Sequence, residues 1–370
     1  MFALPHDERW MRLALSLAER GLGRVWPNPA VGCVIVKDGK LIGRGWTQPG
    51  GRPHAETVAL AQAGADARGA TAYVTLEPCA HHGKTPPCAT ALVEAGVARV
   101  VCALEDPDSR VSGQGFDILR DAGIHVKTDE LMEEASGLNQ GFLLAKTIGR
   151  PMFTLKMASS IDGRIATARG ESRWITGPEA RRHVHIMRAK HDAVLIGAGT
   201  ARHDDPLLDV RDMGMDDANP VRIILDGGLS LSLTSRLART AQTTPLWICH
   251  REGADKARMK TWKEIGVNLI EVAHGETGEL DLQDMAIQLG KRGITRVLCE
   301  GGGQVASSMI SADLVDVLVT FTAGMAIGSE GASVFGPMQT DALQDAPRFK
   351  LTSSRIVGVD IMNVWKPSAR

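Results

Sequence analysis

The stretch from Arg52 to Cys88 constrains this chain more than any other. It carries a histidine at 54, a carboxylate at 56 and thiols at 79 and 88, each near a proline, with an apolar interval between the two halves. Imidazole and thiolate are good zinc ligands. Three of them with a fourth position left open is how a catalytic zinc site is built, whereas a structural zinc closes with four protein ligands. His54, Cys79 and Cys88 are therefore the candidate ligands of one catalytic Zn2+ per chain, and Glu56 is left over for proton chemistry beside it. A fold that satisfies this stretch must bring its two halves together at one point.

The residues around it read as strand–helix alternation. Asp7 to Arg20 has helical spacing and Gly21 stops it. Trp26-Pro27-Asn28-Pro29 is a loop, since two prolines bracket the asparagine. Val31–Val36 and Leu41–Trp46 form a hairpin about Lys37-Asp38-Gly39-Lys40. Pro53 opens a helix ended by Gly64, Ala70–Leu76 is a strand, and Pro86-Pro87-Cys88 opens another helix. Strand Val97–Leu104, helix Gly113–Ala122, strand Ile124–Val126 and one helix Glu130–Thr147 follow. His54 and Cys88 thus fall at helix starts, where unpaired N–H groups favour anionic ligands and lower thiol pKa.

His-x-Glu followed by Pro-Cys is the pattern of zinc-dependent nucleobase deaminases, in which the glutamate is general acid and base rather than ligand. Here it stands as His54-Ala55-Glu56 and Pro78-Cys79, but the second cysteine lies beyond a longer insert than that pattern has. The run Pro78-Cys79-Ala80-His81-His82-Gly83-Lys84-Thr85-Pro86-Pro87-Cys88 resembles the deaminase half of the RibD family, bifunctional deaminase–reductases of riboflavin biosynthesis. The resemblance implies a cytidine-deaminase-like α/β/α domain. Within it Asn28 would bind the substrate ring, and His81, His82 and Lys84 its ribose phosphate. Read without it, Asn28 holds a turn and the insert is a solvated polar loop.

Ile148-Gly149-Arg150-Pro151 is a natural boundary, which divides the chain into 1–148 and 149–370. The second part again alternates, from strand Met152–Met157 and helix Pro178–Arg188 to a final strand Asp360–Trp365. It lacks the G-x-G-x-x-G dinucleotide fingerprint. It has instead two glycine turns after apolar strands, Ile196-Gly197-Ala198-Gly199-Thr200 and Glu300-Gly301-Gly302-Gly303-Gln304, the second opening a helix whose N–H groups can approach a phosphate. The runs Lys156–Ala166, Ser172–Thr176, Gly199–Leu208 and Glu300–Gly302 look like the reductase half of the same family, whose fold resembles dihydrofolate reductase and which uses NADPH. The resemblance makes Ala158, Trp174, Thr200, Asp204 and the turn Gly302, Gly303, Gln304, Val305, Ala306, Ser307 and Ser308 cofactor contacts. Ser172, Arg188, Leu208, Arg211 and Glu300 become substrate contacts, the two arginines gripping a phosphate through paired N–H groups. It is weakest from about Asp212 to Arg292.

The net charge of −1 argues against a nucleic-acid partner, whose footprint is a strongly basic surface. No apolar run approaches membrane-spanning length, and the polar N-terminus shows no secretory signal. Cys33, Cys102, Cys249 and Cys299 sit in apolar strand-like runs, as reduced cysteines of a cytoplasmic protein do. The expectation is a cytoplasmic homo-oligomer, dimer or tetramer, acting on a small pyrimidine ribosyl phosphate without nucleic acid or membrane. By resemblance the substrate is 2,5-diamino-6-ribosylamino-4(3H)-pyrimidinone 5′-phosphate, deaminated and then reduced from ribosyl to ribityl. The alternative is a nucleobase or tRNA deaminase with a C-terminal binding module.

Overall fold

The computed structural model describes residues 5–80, 86–108, 112–215, 217–276 and 278–368. The chain forms two compact units, Met1–Gly149 and Arg150–Arg370.

In the first unit, helix α1 (Pro5–Ala18) precedes the hairpin β1 (Gly32–Lys37) and β2 (Lys40–Trp46). Helix α2 (Ala55–Ala63), strand β3 (Thr71–Val74), helix α3 (Cys88–Glu94), strand β4 (Arg99–Cys102), helix α4 (Gln114–Asp121) and strand β5 (His125–Lys127) follow. The sheet order is β2-β1-β3-β4-β5, with β1 antiparallel to both neighbours and β3, β4 and β5 parallel. Two apolar clusters pack this unit. One contains Cys33, Ile35, Ala59, Val74 and Leu92, and the other Trp10, Met11, Val34 and Val101, as alternation along β1 requires. Helix α2 lies against β2 with no side chain between them. A Cβ on Gly43 or Gly45 would stand 2.3 Å from the carbonyl oxygens of Ala59 and Ala55, so glycine there is what lets the helix bearing Glu56 sit so close to the sheet.

The helix expected over Glu130–Thr147 is two, α5 (Met132–Leu138) and α6 (Gln140–Thr147), parted at Asn139, whose backbone leaves the helical region at φ −97°, ψ 14°. The buried Asn139 side chain turns away from the helix to bond to Ala30 in the loop before β1.

The second unit is built on a nine-stranded sheet. Its strands are β6 (Met152–Ser160), β8 (Ala193–Gly197), β9 (Val221–Leu225), β10 (Leu246–Arg251), β11 (Asn268–Val272), β12 (Arg296–Cys299), β13 (Val317–Ala323), β15 (Phe349–Val357) and β16 (Asp360–Pro367). Short β7 (Arg164–Ala166) and β14 (Ala332–Ser333) pair separately. The order is β11-β10-β9-β8-β12-β6-β13-β16-β15, parallel except for β16 and β15. Helices α7 (Pro178–Ala189), α8 (Ala198–Asp204), α9 (Arg236–Arg239), α10 (Lys256–Glu264), α11 (Leu282–Lys291) and α12 (Gly303–Ser311) make the crossovers. Helix α8 begins inside what the sequence suggests is a simple glycine turn at 197–200. The weakly patterned 212–292 segment supplies β9, β10 and β11 with their helices. No helix among the described residues is long and apolar enough to cross a membrane.

Candidate active sites

In the first unit the expected ligands converge. His54 is the residue that caps α2, with extended backbone at φ −71°, ψ 161°. Cys79 follows β3, and Cys88 is the first residue of α3. The Nδ1 atom of His54 lies 3.3 Å from Cys88 Sγ and 3.7 Å from Cys79 Sγ, and all three donor atoms lie within 4.8 Å of one another. With ordinary Zn–N and Zn–S bond lengths, nitrogen and sulfur on a tetrahedral zinc stand about 3.6 Å apart. The donor set and its spacing therefore fit zinc, and among the described residues no fourth protein ligand joins the three. Cys79 also accepts the α3 amide of Cys88 at 3.3 Å. The sulfur at the helix start is thus served by the residue that itself completes the cluster.

Electrostatics agree with this arrangement. The Cys79 thiol is drawn down to about 4, first by hydrogen bonding from Cys88 and then by His54. Cys88 is pushed up by sharing that proton and by burial, and His54 is raised by its bond to Cys79. Glu56, on the first turn of α2, is 3% exposed. Burial, then the charge of Cys79, pushes its carboxyl up to about 7. A carboxyl poised near neutrality can both take and return a proton.

The segments flanking the ligands are fixed too. Glu77, just before Pro78-Cys79, is 4% exposed and accepts the amides of Asp106, Gly113 and Gly115 at 3.2, 3.1 and 2.9 Å. Asn28 is half-buried, and a Cβ on Gly51 would fall 1.9 Å from its Nδ2. Its side chain therefore packs against Gly51, three residues before His54. His81, His82 and Lys84 lie outside the described residues.

In the second unit the expected residues gather at the C-terminal ends of the parallel strands β6, β8 and β12, where open α/β sheets bind ligands. The two glycine turns end adjacent strands, β8 and β12, and Thr200 Oγ1 accepts the Gly302 amide at 3.2 Å. Cys299 pairs with Leu155, so Ala158 lies along β6 beyond that pairing. Glu300 receives Arg188 through both Nε and Nη2, at 2.6 and 2.9 Å, and Arg188 Nη1 donates to the Asp209 carbonyl at 3.0 Å. The Arg188 fork is thus committed to a carboxylate rather than open to a phosphate, as the sequence suggested. Arg211, half-exposed, pairs with Asp209. Leu208 is buried with φ +57°. Lys156 was not singled out from sequence, yet it feels both Glu300 and Arg188. Burial and Arg188 lower its pKa against the pull of Glu300. Its burial, invisible in the sequence, is the missing signal.

Trp174 is 64% exposed with the Arg181 guanidinium 4.5 Å from its ring centroid. Arg173 donates to the Asp204 carbonyl at 2.7 Å, linking the tryptophan's segment to α8, and Ser172 stands half-buried on that segment. Within the turn, Gly302, Gly303, Gln304, Val305 and Ser308 keep exposed surface. Ala306 is fully buried, and the buried Ser307 hydroxyl donates to Gly336 O at 3.0 Å, so these two side chains face the interior.

Fold and sites together define a zinc-binding deaminase domain followed by a reductase domain. The family described as the cytidine and deoxycytidylate deaminase zinc-binding region matches residues 4–104, and the RibD C-terminal domain matches residues 151–363. The chain is 42% identical to the riboflavin biosynthesis protein RibD of Escherichia coli (strain K12) over 366 residues, 96% of this chain and 98% of that protein. Among solved structures it is similar to Acinetobacter baumannii RibD, with TM-score 0.90, 40% identity and coverage of 99% and 100%. It is also similar to the diaminohydroxyphosphoribosylaminopyrimidine deaminase/5-amino-6-(5-phosphoribosylamino)uracil reductase of Thermotoga maritima, with TM-score 0.85, 36% identity and coverage of 98% and 99%. The chain belongs to the RibD family of riboflavin biosynthesis, bifunctional enzymes that bind zinc in the deaminase domain and use NADPH in the reductase domain. The nucleic-acid deaminase alternative is not favoured, because the likeness spans both halves of the chain.

Proposed function

We propose that residues 1–148 deaminate 2,5-diamino-6-ribosylamino-4(3H)-pyrimidinone 5′-phosphate and that residues 149–370 reduce the ribosyl group of the resulting aminouracil to ribityl. The observation that carries this reading is the buried Glu56 carboxyl set beside the His54, Cys79 and Cys88 donor cluster.

His54, Cys79 and Cys88 hold the zinc, which when bound supplies Lewis-acid activation of water at neutral pH. Glu56 takes a proton at its carboxylate oxygen and returns it to the departing amine, while Asn28 orients the pyrimidine ring and His81, His82 and Lys84 meet the ribose phosphate. In the second unit NADPH, when bound, supplies the hydride. Thr200, Asp204, Ala158, Trp174 and, from the turn, Gly302, Gly303, Gln304, Val305 and Ser308 receive it. Glu300, kept ionised by Arg188, is a fixed acceptor for substrate donors, with Ser172, Leu208 and Arg211 completing that side.

The compartment we infer is the cytoplasm, and the assembly a homo-oligomer. Supporting the latter, β15 is a nine-residue edge strand exposed along most of its length, with Leu351 and Ile356 exposed on it, the kind of edge that proteins cover by pairing. Sedimentation velocity should show dimers or tetramers; a monomer at working concentration rejects this. The activity test is product mass. A gain of about 1 Da without NADPH and about 2 Da more with it is expected for deamination followed by hydride reduction. The first step alone removes the reductase assignment, and no change with zinc-loaded protein removes the deaminase assignment.

A further inference from the structure

We propose that Asn139 is a positioning residue for deamination, acting through Asn28, and the proposal rests on the reading of Asn28 as the ring binder. Three successive amides that follow Asn28-Pro29 are received by buried side chains rather than by carbonyls of a neighbouring strand. Ala30 N–H donates to Asn139 Oδ1, Val31 N–H to Thr47 Oγ1 and Gly32 N–H to Thr75 Oγ1, each at 3.0 Å. These acceptors are 3%, 2% and 0% exposed and come from separate parts of the unit. Asn139 closes a tight two-point clamp, since its Nδ2 also donates to the Ala30 carbonyl at 3.0 Å, whereas the Thr47 hydroxyl reaches the Val31 carbonyl only at 3.5 Å. Both backbone polar groups of Ala30 are thereby satisfied by one carboxamide, from a residue far away along the chain.

The clamp bears on the ring binder because only Pro29, with its fixed φ, stands between Ala30 and Asn28. On its other side Asn28 rests on Gly51, whose φ of +82° and missing Cβ leave the carboxamide its place. Gly51 leads directly into Arg52-Pro53-His54. Asn28 is therefore held between the clamp and the segment that delivers a zinc ligand. The structure explains the cost as well: α5 and α6 break at Asn139, surrendering helix continuity so that this side chain can face the loop. A residue serving only the helices would not need that break.

The test is deaminase kinetics, with zinc content and thermal stability measured on the same preparations. Four proteins beside the wild type are compared: Asn139→Ala, Asn139→Asp, Asn28→Ala and the Asn28→Ala/Asn139→Ala double variant. Asn139→Asp keeps the acceptor for Ala30 N–H but loses the donor for its carbonyl, so it serves where the alanine variant folds poorly. The expected result is a KM raised about tenfold in Asn139→Ala, the loss of a buried two-bond clamp, with a smaller rise in Asn139→Asp. kcat and zinc content stay near wild type. In the double variant Asn139→Ala adds nothing to Asn28→Ala, because one residue acts through the other. Additive effects on KM, or zinc loss in Asn139→Asp, would show that Asn139 merely stabilises the unit and overturn the proposal. An unchanged KM in Asn28→Ala, by contrast, removes the reading of Asn28 on which it rests.

Discussion

Glu56 and Glu300 are both buried carboxyls, but the groups around them ask for opposite states. Beside Glu56 stand burial and the Cys79 thiolate, which push it to about 7. Glu300 is pulled below the ordinary range despite its burial, because Arg188 and Lys156 outweigh the loss of solvent. Glu56→Gln should keep zinc and lower deamination about 10²–10⁴-fold, with reduction of the aminouracil unchanged; metal analysis and the two assays check it. Glu300→Gln leaves the buried Arg188 charge without its partner and should destabilise the second unit by about 3–5 kcal/mol, seen in denaturant unfolding, with reduction lost. Glu56 was legible from sequence because its chemistry is local, two residues from His54. The Arg188–Glu300 pair was not, since nothing in the order of residues says that a helix cation and a strand-end carboxylate meet.

At the scale of elements, α1 is tied to the sheet through one acid. Asp7, 1% exposed, accepts from Tyr73 Oη at 2.9 Å, Arg99 at 2.8 and 2.7 Å and Lys127 at 3.0 Å. Burial favours its neutral form, yet these donors hold its carboxyl far below the usual range. A depressed folded-state value stabilises fully above the unfolded pKa of about 4 and is lost as pH falls through the folded one. The wild type should therefore weaken steadily below about pH 4. Asp7→Asn should be less stable by about 3 kcal/mol at pH 7 with a flatter acid profile, measured by thermal melts from pH 7 to 3. Strands such as β1, β8 and β12 and the helix starts at His54 and Cys88 could be read from alternation and proline. The break at Asn139 could not, because its partner Ala30 is far away along the chain. Strand β15 escaped because Lys350 to Arg355 is mostly polar, an edge strand with nothing to bury, and α10 with β11 because Lys256–Glu264 is charged nearly all round. Each failure has the same physical origin: a residue whose partner or solvent is set by the tertiary fold.

For the whole molecule, the two units have separate apolar cores and separate donor sets, so chelating the metal should abolish deamination while NADPH-dependent reduction of the aminouracil continues. Loss of both activities under chelation would contradict that division, as read by product mass and NADPH absorbance. The strand order of the larger sheet has a consequence for how the chain is made. In the first unit each strand pairs with partners near it in sequence, so the sheet can form as the chain emerges. In the second, β6 is the first strand synthesised yet lies between β12 and β13, near the far end of the chain. At ordinary translation speeds it waits on the order of ten seconds for either neighbour, an apolar strand with both edges open. The growing chain thus has every strand of the first sheet while β6 is still unpaired. The yield of intact enzyme in a cell should turn on what shields that strand during the wait: slow elongation or scarce chaperones would spoil the reductase half first.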